Sequence, residues 1–116
     1  MCMTAMNYNN VRFNLTEAIH HLELLREDMA LKKRPERYIS EVDYWISSLD
    51  LLRNCLYDCK STYDGQLDIH SSIKEIKNEI TNFIVVVKDF KYKELKELDV
   101  IWSLLVKIDK ILRSIK

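Results

Sequence analysis

Apolar residues recur along this chain at alternating intervals of four and three positions. In the first stretch they are Val11, Leu15, Ala18, Leu22, Leu25 and Met29. This spacing lines the apolar side chains along one side of an α-helix, which can then pack against other helices. Three later stretches keep the spacing: Tyr38, Val42, Trp45, Leu49, Leu52, Leu56 and Cys59; Ile69, Ile73, Ile76, Ile80, Phe83, Val87 and Phe90; Leu98, Ile101, Leu105, Ile108, Leu112 and Ile115. We call these positions the seam, and they predict four amphipathic helices.

Local residues indicate where the first two helices meet. Asn14, or Asn10 one turn earlier, is suited to cap the start of the first helix. Pro35, the only proline, disfavours the α conformation at Arg34 and is itself preset for the first turn of a helix. Helix 1 is therefore predicted to end near Lys33, and helix 2 to begin at Pro35.

The third helix is predicted to follow a turn at the only glycine. Asp64-Gly65 lies in the polar stretch 61–68, and both residue types are common in turns. Asp68 precedes the third set of seam positions, where its side chain is placed to cap a helix. We therefore expect helix 3 to begin at Asp68.

The boundary between helices 3 and 4 contains neither glycine nor proline, and only the phase of the pattern changes there. Continuing the third seam beyond Phe90 would place Glu94 and Glu97 inside, whereas the apolar residues there are Tyr92, Leu95 and Leu98. Either a tight turn within 88–98 or a stutter in one continuous helix resets the phase. We favour the turn, because a helix of about 47 residues is unusual in so short a chain.

The fold class predicted is all-α: an antiparallel up-down-up-down four-helix bundle in a single domain, residues 1–116. The alternative has three helices, with helices 3 and 4 continuous. Residues 1–9 are expected to be loosely ordered, as chain termini often are.

The composition agrees with one folded helical domain. Hydrophobic residues make up 47% and charged residues 31%, which excludes a disordered chain. The longest apolar run, at 83–87, is far shorter than the ~18 residues that a membrane span requires. Three cysteines and an N-terminus without a signal-peptide pattern lead us to expect a cytoplasmic protein with no membrane partner.

Motifs for metal or catalytic chemistry are incomplete. Glu17 and His20 form one ExxH motif of the kind that di-iron bundles use, but both lie off the seam and no second ExxH follows. Cys55 and Cys59 are one turn apart, yet Cys59 is a seam position, where a free cysteine packs as a small hydrophobic residue. We therefore predict no catalytic residue, no metal, no cofactor and no small-molecule substrate.

Basic residues gather at two of the predicted turns, although Lys plus Arg and Asp plus Glu each number 18 in the chain. An up-down-up-down bundle places the helix 1–2 turn and the helix 3–4 turn at the same end. This end, flanked by Tyr38 and Tyr92, could bind phosphate or another anion, as RNA- and DNA-binding surfaces do. The alternative is a solvated turn that aids solubility. We call it the basic end, and its candidate residues are Lys32, Lys33, Arg34, Arg37, Lys91, Lys93 and Lys96.

The apolar faces are wider than a minimal bundle needs, since Ile19, Ile39 and Ile84 adjoin seam positions. Either the core is broad, or parts of helices 3 and 4 form an interface with a second copy or a partner. We favour self-association.

Two segments resemble a known family. The sequence "RPERYIS" at 34–40 opens a heptad helix, and "KDFKYKELKELDVIWSLLVKIDKILRSIK" combines a lysine-rich turn with an aliphatic last helix. Over about 34–63 and 73–116 the chain resembles a small four-helix-bundle accessory family, which includes diversity-generating retroelement accessory proteins and rRNA intervening-sequence proteins. The chain lacks the Asn-Ile-x-Glu-Gly stretch of one branch and the basic character of the other. The resemblance implies an oligomeric, non-enzymatic bundle that binds nucleic acid or a reverse transcriptase through basic residues.

The sequence therefore favours a non-enzymatic interaction protein that oligomerises and binds a macromolecular partner, either a protein or RNA or DNA. The alternative is a nucleic-acid-binding accessory protein that uses the basic end. A helical-bundle enzyme comes third.

Overall fold

The computed structural model describes residues 5–57 and 63–114, with side chains described for 9–54 and 69–114. These residues form four helices: α1 Ala5–Leu31, α2 Glu36–Tyr57, α3 Tyr63–Val86 and α4 Tyr92–Arg113. No strand occurs in the described ranges. The all-α prediction is confirmed, and the alternative with a continuous third and fourth helix is wrong, because the chain leaves the helix between Val86 and Tyr92.

Successive helices run antiparallel. On α1 and α2, Arg26 pairs with Asp43, whereas Thr16, nearer the start of α1, contacts Arg53, nearer the end of α2. The same reversal relates α3 to α4. Helix α1 packs against both α2 and α4, and α3 packs against α4, whereas α2 and α3 contact each other least. In the described part of the chain the backbones of α2 and α3 therefore approach each other least, and the rings of Tyr38, Trp45 and Phe83 pack between them.

The seam forms the core. Every seam residue with a described side chain is buried, except Tyr38 and Leu52, which are half-buried and pack against the core. Ile19 and Ile39 are buried as well, so the core is broad. The seam residues that lie outside the described side chains are Leu56, Cys59 and Ile115. Burying each large aliphatic side chain contributes about 1.5–3 kcal/mol, so these contacts dominate the stability of the bundle.

Some large apolar side chains nevertheless remain exposed to solvent. They are Phe13, Leu24, Leu31, Tyr44, Leu51, Val85, Val86 and Tyr92. None of the helices that the structure describes is both long and apolar enough to cross a membrane.

Two predicted helix starts were wrong. Helix α1 begins at Ala5, before Asn10 and Asn14, and includes part of the segment 1–9. The Asn14 amide instead donates to the Asn10 carbonyl at 2.8 Å within the helix. Helix α3 begins at Tyr63, so Asp64-Gly65 belongs to its first turn and does not form a separate turn before Asp68. An aspartate near a helix N-terminus is favoured by the helix dipole, which makes this earlier start possible.

Candidate functional site

The α1–α2 turn is a helix end built on a left-handed residue. Lys33 has a φ of 56°. The Arg34 N–H donates to the Met29 carbonyl at 2.9 Å, and the Lys33 N–H donates to the Ala30 carbonyl at 3.1 Å. These two bonds satisfy the last carbonyls of α1 in the Schellman pattern, which usually has glycine where Lys33 stands. The turn is completed by Pro35, and the prediction of both helix ends was correct to within two residues.

Glu94, in the first turn of α4, accepts hydrogen bonds from side chains of the α1–α2 turn. Its side chain is 0% exposed and accepts from Arg34 Nε at 3.1 Å, Arg34 Nη2 at 2.6 Å and Lys32 Nζ at 3.2 Å. The Lys91 backbone N–H also donates to Glu94, at 3.3 Å, as part of a capping box at the start of α4. One carboxylate therefore closes the end of α4 and holds the α1–α2 turn.

The electrostatics of Glu94 follow from these contacts. Burial alone would raise the pKa of Glu94, but the hydrogen bonds from Arg34, Lys32 and the Lys91 N–H outweigh it and hold the pKa below its ordinary value. The same bond raises the pKa of Arg34. The pKa of Lys32 is raised mainly by its hydrogen bond to Asp28 and to a smaller extent by its hydrogen bond to Glu94. All three groups are therefore charged at neutral pH.

An aromatic cluster packs against the guanidinium of Arg34. Its guanidinium lies 5.1 Å from the centre of the Phe90 ring, which is buried in the α3–α4 turn. Tyr38 meets Phe90 and Phe83 edge to face, with ring centres 6.0 and 5.3 Å apart. A planar guanidinium over an aromatic face gains a cation–π contribution in addition to its ion pair. The two turns thus share one packed cluster.

The two basic turns do lie at the same end of the bundle, but their cations differ in availability. Arg34 and Lys32 are held by Glu94, and the Arg34 side chain is only 14% exposed. Arg34, one of the candidate residues of the basic end, therefore faces a buried carboxylate and not solvent. Lys93 is 79% exposed, with its Nζ 3.8 Å from Asp28 Oδ1.

The remaining basic-end residues project to solvent. Lys33, Lys91 and Lys96 are exposed and form no ion pair within the described part of the chain. Arg37 is exposed and stacks over the Tyr38 ring at 5.0 Å. Tyr92 is 77% exposed, whereas Tyr38 is half-buried, so only one of the two flanking tyrosines is open.

Sequence reasoning missed the role of Glu94. The signal was present, because Glu94 stands four residues before Leu98 and extends the α4 seam by one position. A charged residue at a seam position predicts a buried ion pair, although the spacing does not say which cation supplies it.

A second buried carboxylate joins α3 to α4 elsewhere in the bundle. Asp109 is 4% exposed. Its oxygens lie 2.8 Å from His70 Nδ1, 3.1 Å from Arg113 Nη2 and 3.5 Å from Lys77 Nζ. Lys77 also lies 6.0 Å from the centre of the Trp102 ring. Like Glu94, Asp109 is compensated by cations of the same chain and is therefore a structural group.

A groove lies between α2 and α3, the neighbouring helices whose backbones approach each other least. It has a volume of about 130 Å³, and its lining residues are Tyr44, Ser48, Leu51, Leu52, Ser72, Glu75 and Ile76. We call it the α2–α3 groove. Tyr44 is 52% exposed and Leu51 is 64% exposed, so apolar surface remains open along its α2 edge.

Carboxylates lie along the same side. The indole N–H of the buried Trp45 donates to Glu79 Oε2 at 2.8 Å, which links α2 to α3. Partial burial raises the pKa of Glu41, and the nearby charge of Glu79 raises it further. Two like charges are therefore held close together here.

Two other depressions lie along α1. One, of about 280 Å³, separates α1 from the start of α4, and the other, of about 590 Å³, lies against α2. Their walls include ion-paired residues, Asp28 and Glu94 in the first and Arg26 with Asp43 in the second. These four polar groups are therefore engaged within the bundle, whereas Glu23 and Glu27, which also line the depressions, are exposed and form no ion pair.

The ExxH motif is on the surface: His20 is exposed, Glu17 is half-buried, and the neighbouring His21 contacts Glu97 of α4. Within residues 9–54 and 69–114, whose side chains are described, no three His, Cys, Asp or Glu side chains are grouped as metal ligands. The side chains of Cys55 and Cys59 lie outside the described residues.

These contacts define the class of protein as an antiparallel four-helix bundle in which buried carboxylates form ion pairs between helices. In comparisons with known proteins, no family model, no curated protein and no solved structure matches the chain.

Proposed function

We propose that this chain is a non-enzymatic interaction protein that binds a macromolecular partner, in the first instance a protein, through the α2–α3 groove. The observation that supports this most directly is the α2–α3 groove itself, with Tyr44 and Leu51 exposed beside it. A partner helix laid there would remove these apolar side chains from water.

The chemistry of the groove favours a helix as the bound element. Tyr44, Ser48 and Leu51 are spaced four and three apart on α2, so they form a second stripe on that helix. Grooves between two helices commonly receive the apolar face of a third helix, whose residues at i, i+3 or i+4, and i+7 fill them. Exposed aromatic and aliphatic side chains at such a groove are typical of a protein interface.

The buried ionisable groups support a role without catalysis. A catalytic acid or base has to face the substrate, but Glu94 and Asp109 both face cations of their own chain. Their contacts join helices to one another.

Affinity capture of partners with the native protein, with and without nuclease, tests the proposal. A protein partner should survive nuclease treatment and be lost with the variant Tyr44→Gln, Leu51→Gln. The matched control is Phe13→Gln, Leu24→Gln, which removes two exposed apolar side chains from α1. Retention of every partner by the groove variant would contradict the proposal.

A nucleic-acid-binding function is the second candidate. Lys33, Arg37, Lys91 and Lys96 are exposed where two turns meet, and a cluster of exposed cations attracts phosphates. The family resemblance noted above implies the same kind of partner. In this case nuclease would release whatever the native protein captures.

Self-association is part of the proposal. Val85 and Val86 at the end of α3 and Tyr92 at the start of α4 are exposed by 74%, 60% and 77%. They lie at the junction of the two helices whose apolar excess suggested an interface. A contact between two copies there would remove these side chains from water.

A further inference from the structure

We infer that the α2–α3 groove binds a positively charged amphipathic helix, and that Glu75 and Glu79, assisted by Glu41, select for its charge. This inference rests on the proposed function, because it specifies which kind of partner helix the groove accepts.

The groove has an apolar base and an open apolar edge. Ile76 is buried at its base, Leu52 is half-buried, and Tyr44 and Leu51 remain exposed. Tyr44 and Leu51 are seven residues apart, a distance of about 10 Å along a helix. A bound helix would therefore use apolar residues over about two turns, spaced as one heptad.

The charge at this groove is negative and is not compensated by the bundle. Glu75 lines the groove and is exposed, and Glu79 accepts only from the neutral indole of Trp45. Among the residues with described side chains, Glu41, Glu75 and Glu79 form no ion pair. The raised pKa of Glu41 agrees with an excess of negative charge, since the charge of Glu79 contributes to it.

The buried carboxylates of the bundle, in contrast, have cations of the same chain beside them. Glu94 has Arg34 and Lys32 as partners, and Asp109 has a histidine, a lysine and an arginine nearby. On the two helices of the groove, Arg53 is paired with Asp50, Lys77 is turned to Asp109, and the exposed Arg37 and Lys74 form no ion pair with Glu75 or Glu79. The demand for positive charge at Glu75 and Glu79 is therefore left for a binding partner.

The positions of these carboxylates define what the partner presents. Glu75 and Glu79 are four residues apart on α3, so they lie on one face about 6 Å apart. Lys or Arg at i and i+4, beside the apolar stripe of the partner helix, would match them. The same face of a second copy would not match, because it brings carboxylates against carboxylates.

The test uses the full chain and three synthetic amphipathic helices of about 18 residues, or five turns. The peptides share one leucine stripe and carry Lys, Gln or Glu on its flanks, and binding is measured by fluorescence polarisation. The Lys peptide should bind most tightly and the Glu peptide least. Added salt should weaken the Lys peptide only.

Two double variants test whether the charges of Glu75 and Glu79 select the peptide. Glu75→Gln, Glu79→Gln should weaken the Lys peptide about tenfold and leave the Gln peptide unchanged, because two surface ion pairs together amount to about one decade of affinity. The matched control is Glu23→Gln, Glu27→Gln, which removes two exposed carboxylates with the same spacing from α1. Circular dichroism verifies that all variants are folded.

Equal binding of the three peptides, or unchanged binding of the Lys peptide by Glu75→Gln, Glu79→Gln, would overturn the inference. Neither result touches the proposed function, which fails separately if Tyr44→Gln, Leu51→Gln retains its captured protein partner. Undiminished binding of the Lys peptide by Tyr44→Gln, Leu51→Gln would also overturn the inference, since the peptide would then bind outside the groove.

Discussion

Arg34 and Glu94 are 60 residues apart in sequence and form a two-pronged ion pair, with Glu94 accepting from Nε at 3.1 Å and from Nη2 at 2.6 Å. The planar guanidinium matches a carboxylate in this geometry, which makes the pair directional as well as strong. Because Arg34 belongs to the α1–α2 turn and Glu94 to the first turn of α4, the pair fixes how these two turns meet at one end of the bundle.

Replacing Arg34 should destabilise the fold. Arg34→Gln leaves the buried Glu94 with Lys32 as its remaining cation, so we expect a loss of about 3 kcal/mol, the lower end of the range for a broken buried pair. Urea unfolding at neutral pH measures the loss. The matched control is Arg37→Gln in the same turn, which should stay within about 0.5 kcal/mol because Arg37 is exposed.

The double variant Arg34→Gln, Glu94→Gln should be more stable than Arg34→Gln alone, since no buried charge is then left without its partner. A double variant as unstable as the sum of the two single changes would show that the pair is not coupled.

Acid should weaken the fold partly through Glu94. The pKa of Glu94 is lowered in the folded chain, so its charged form stabilises the fold. This contribution is complete above the ordinary glutamate pKa of about 4.3 and is lost as the pH falls from there through the lower pKa of the folded state. Unfolding free energies at a series of pH values should therefore fall less steeply in acid for Glu94→Gln than for the wild type.

Glu41 acts in the opposite direction, because burial and Glu79 raise its pKa, but it is present in both proteins and cancels in their difference. Glu23→Gln, at an exposed position, serves as the control and should follow the wild type. Parallel curves for the wild type and Glu94→Gln would refute the assigned role of Glu94.

Truncating Leu105 should lower the free energy of unfolding by as much as is usual for a core residue. Its side chain is 0% exposed, so Leu105→Ala should cost about 2–5 kcal/mol through lost burial and the remaining cavity. Leu51→Ala is the matched control, because Leu51 is 64% exposed and its truncation should cost less than about 0.5 kcal/mol. A cost below that value for Leu105→Ala would remove it from the core.

The second candidate function makes a salt-dependent prediction for the basic end. Each neutralised phosphate contributes about −0.7 to −0.9 to the slope of log affinity against log salt, so four or five contacts give a slope near −3 to −4. Lys33→Glu, Lys91→Glu should flatten that slope and weaken binding to all sequences alike. Arg34 is not a suitable position for this test, since reversing its charge would also break its pair with Glu94.

The control for that experiment is Lys74→Glu, Lys107→Glu, which reverses two exposed lysines in the middle of α3 and the second half of α4. The same loss of binding in the control and in the basic-end variant would mean that overall charge, and not the basic end, is responsible.

Self-association should be visible in solution. Light scattering at micromolar concentration is expected to give a mass of at least two chains. Val85→Asp, Val86→Asp should lower it, because charge would enter an interface that buries these exposed side chains. Thr81→Asp, Asn82→Asp, one turn earlier on the exposed side of α3, is the control. A monomeric mass for the wild type would end this part of the proposal.

The sequence by itself determined the helices and their inward faces. The seam from Val11 to Met29, for example, is buried along its whole length, because a period of four and three depends only on the geometry of a single helix. Pro35 likewise marked the first turn through its own backbone restriction. The common end of the two basic turns followed from the alternating direction of four helices joined by short turns.

Only the tertiary structure decided which charged side chains form ion pairs inside the bundle and which face solvent. Lys32, Lys33 and Arg34 are equivalent in local sequence, yet two of them turn to Glu94 and Lys33 does not. The choice depends on where a carboxylate some 60 residues away comes to lie. The wider backbone spacing of α2 and α3 was equally invisible, because all four seams have the same pattern, and how closely two helices approach depends on the packing of the whole core.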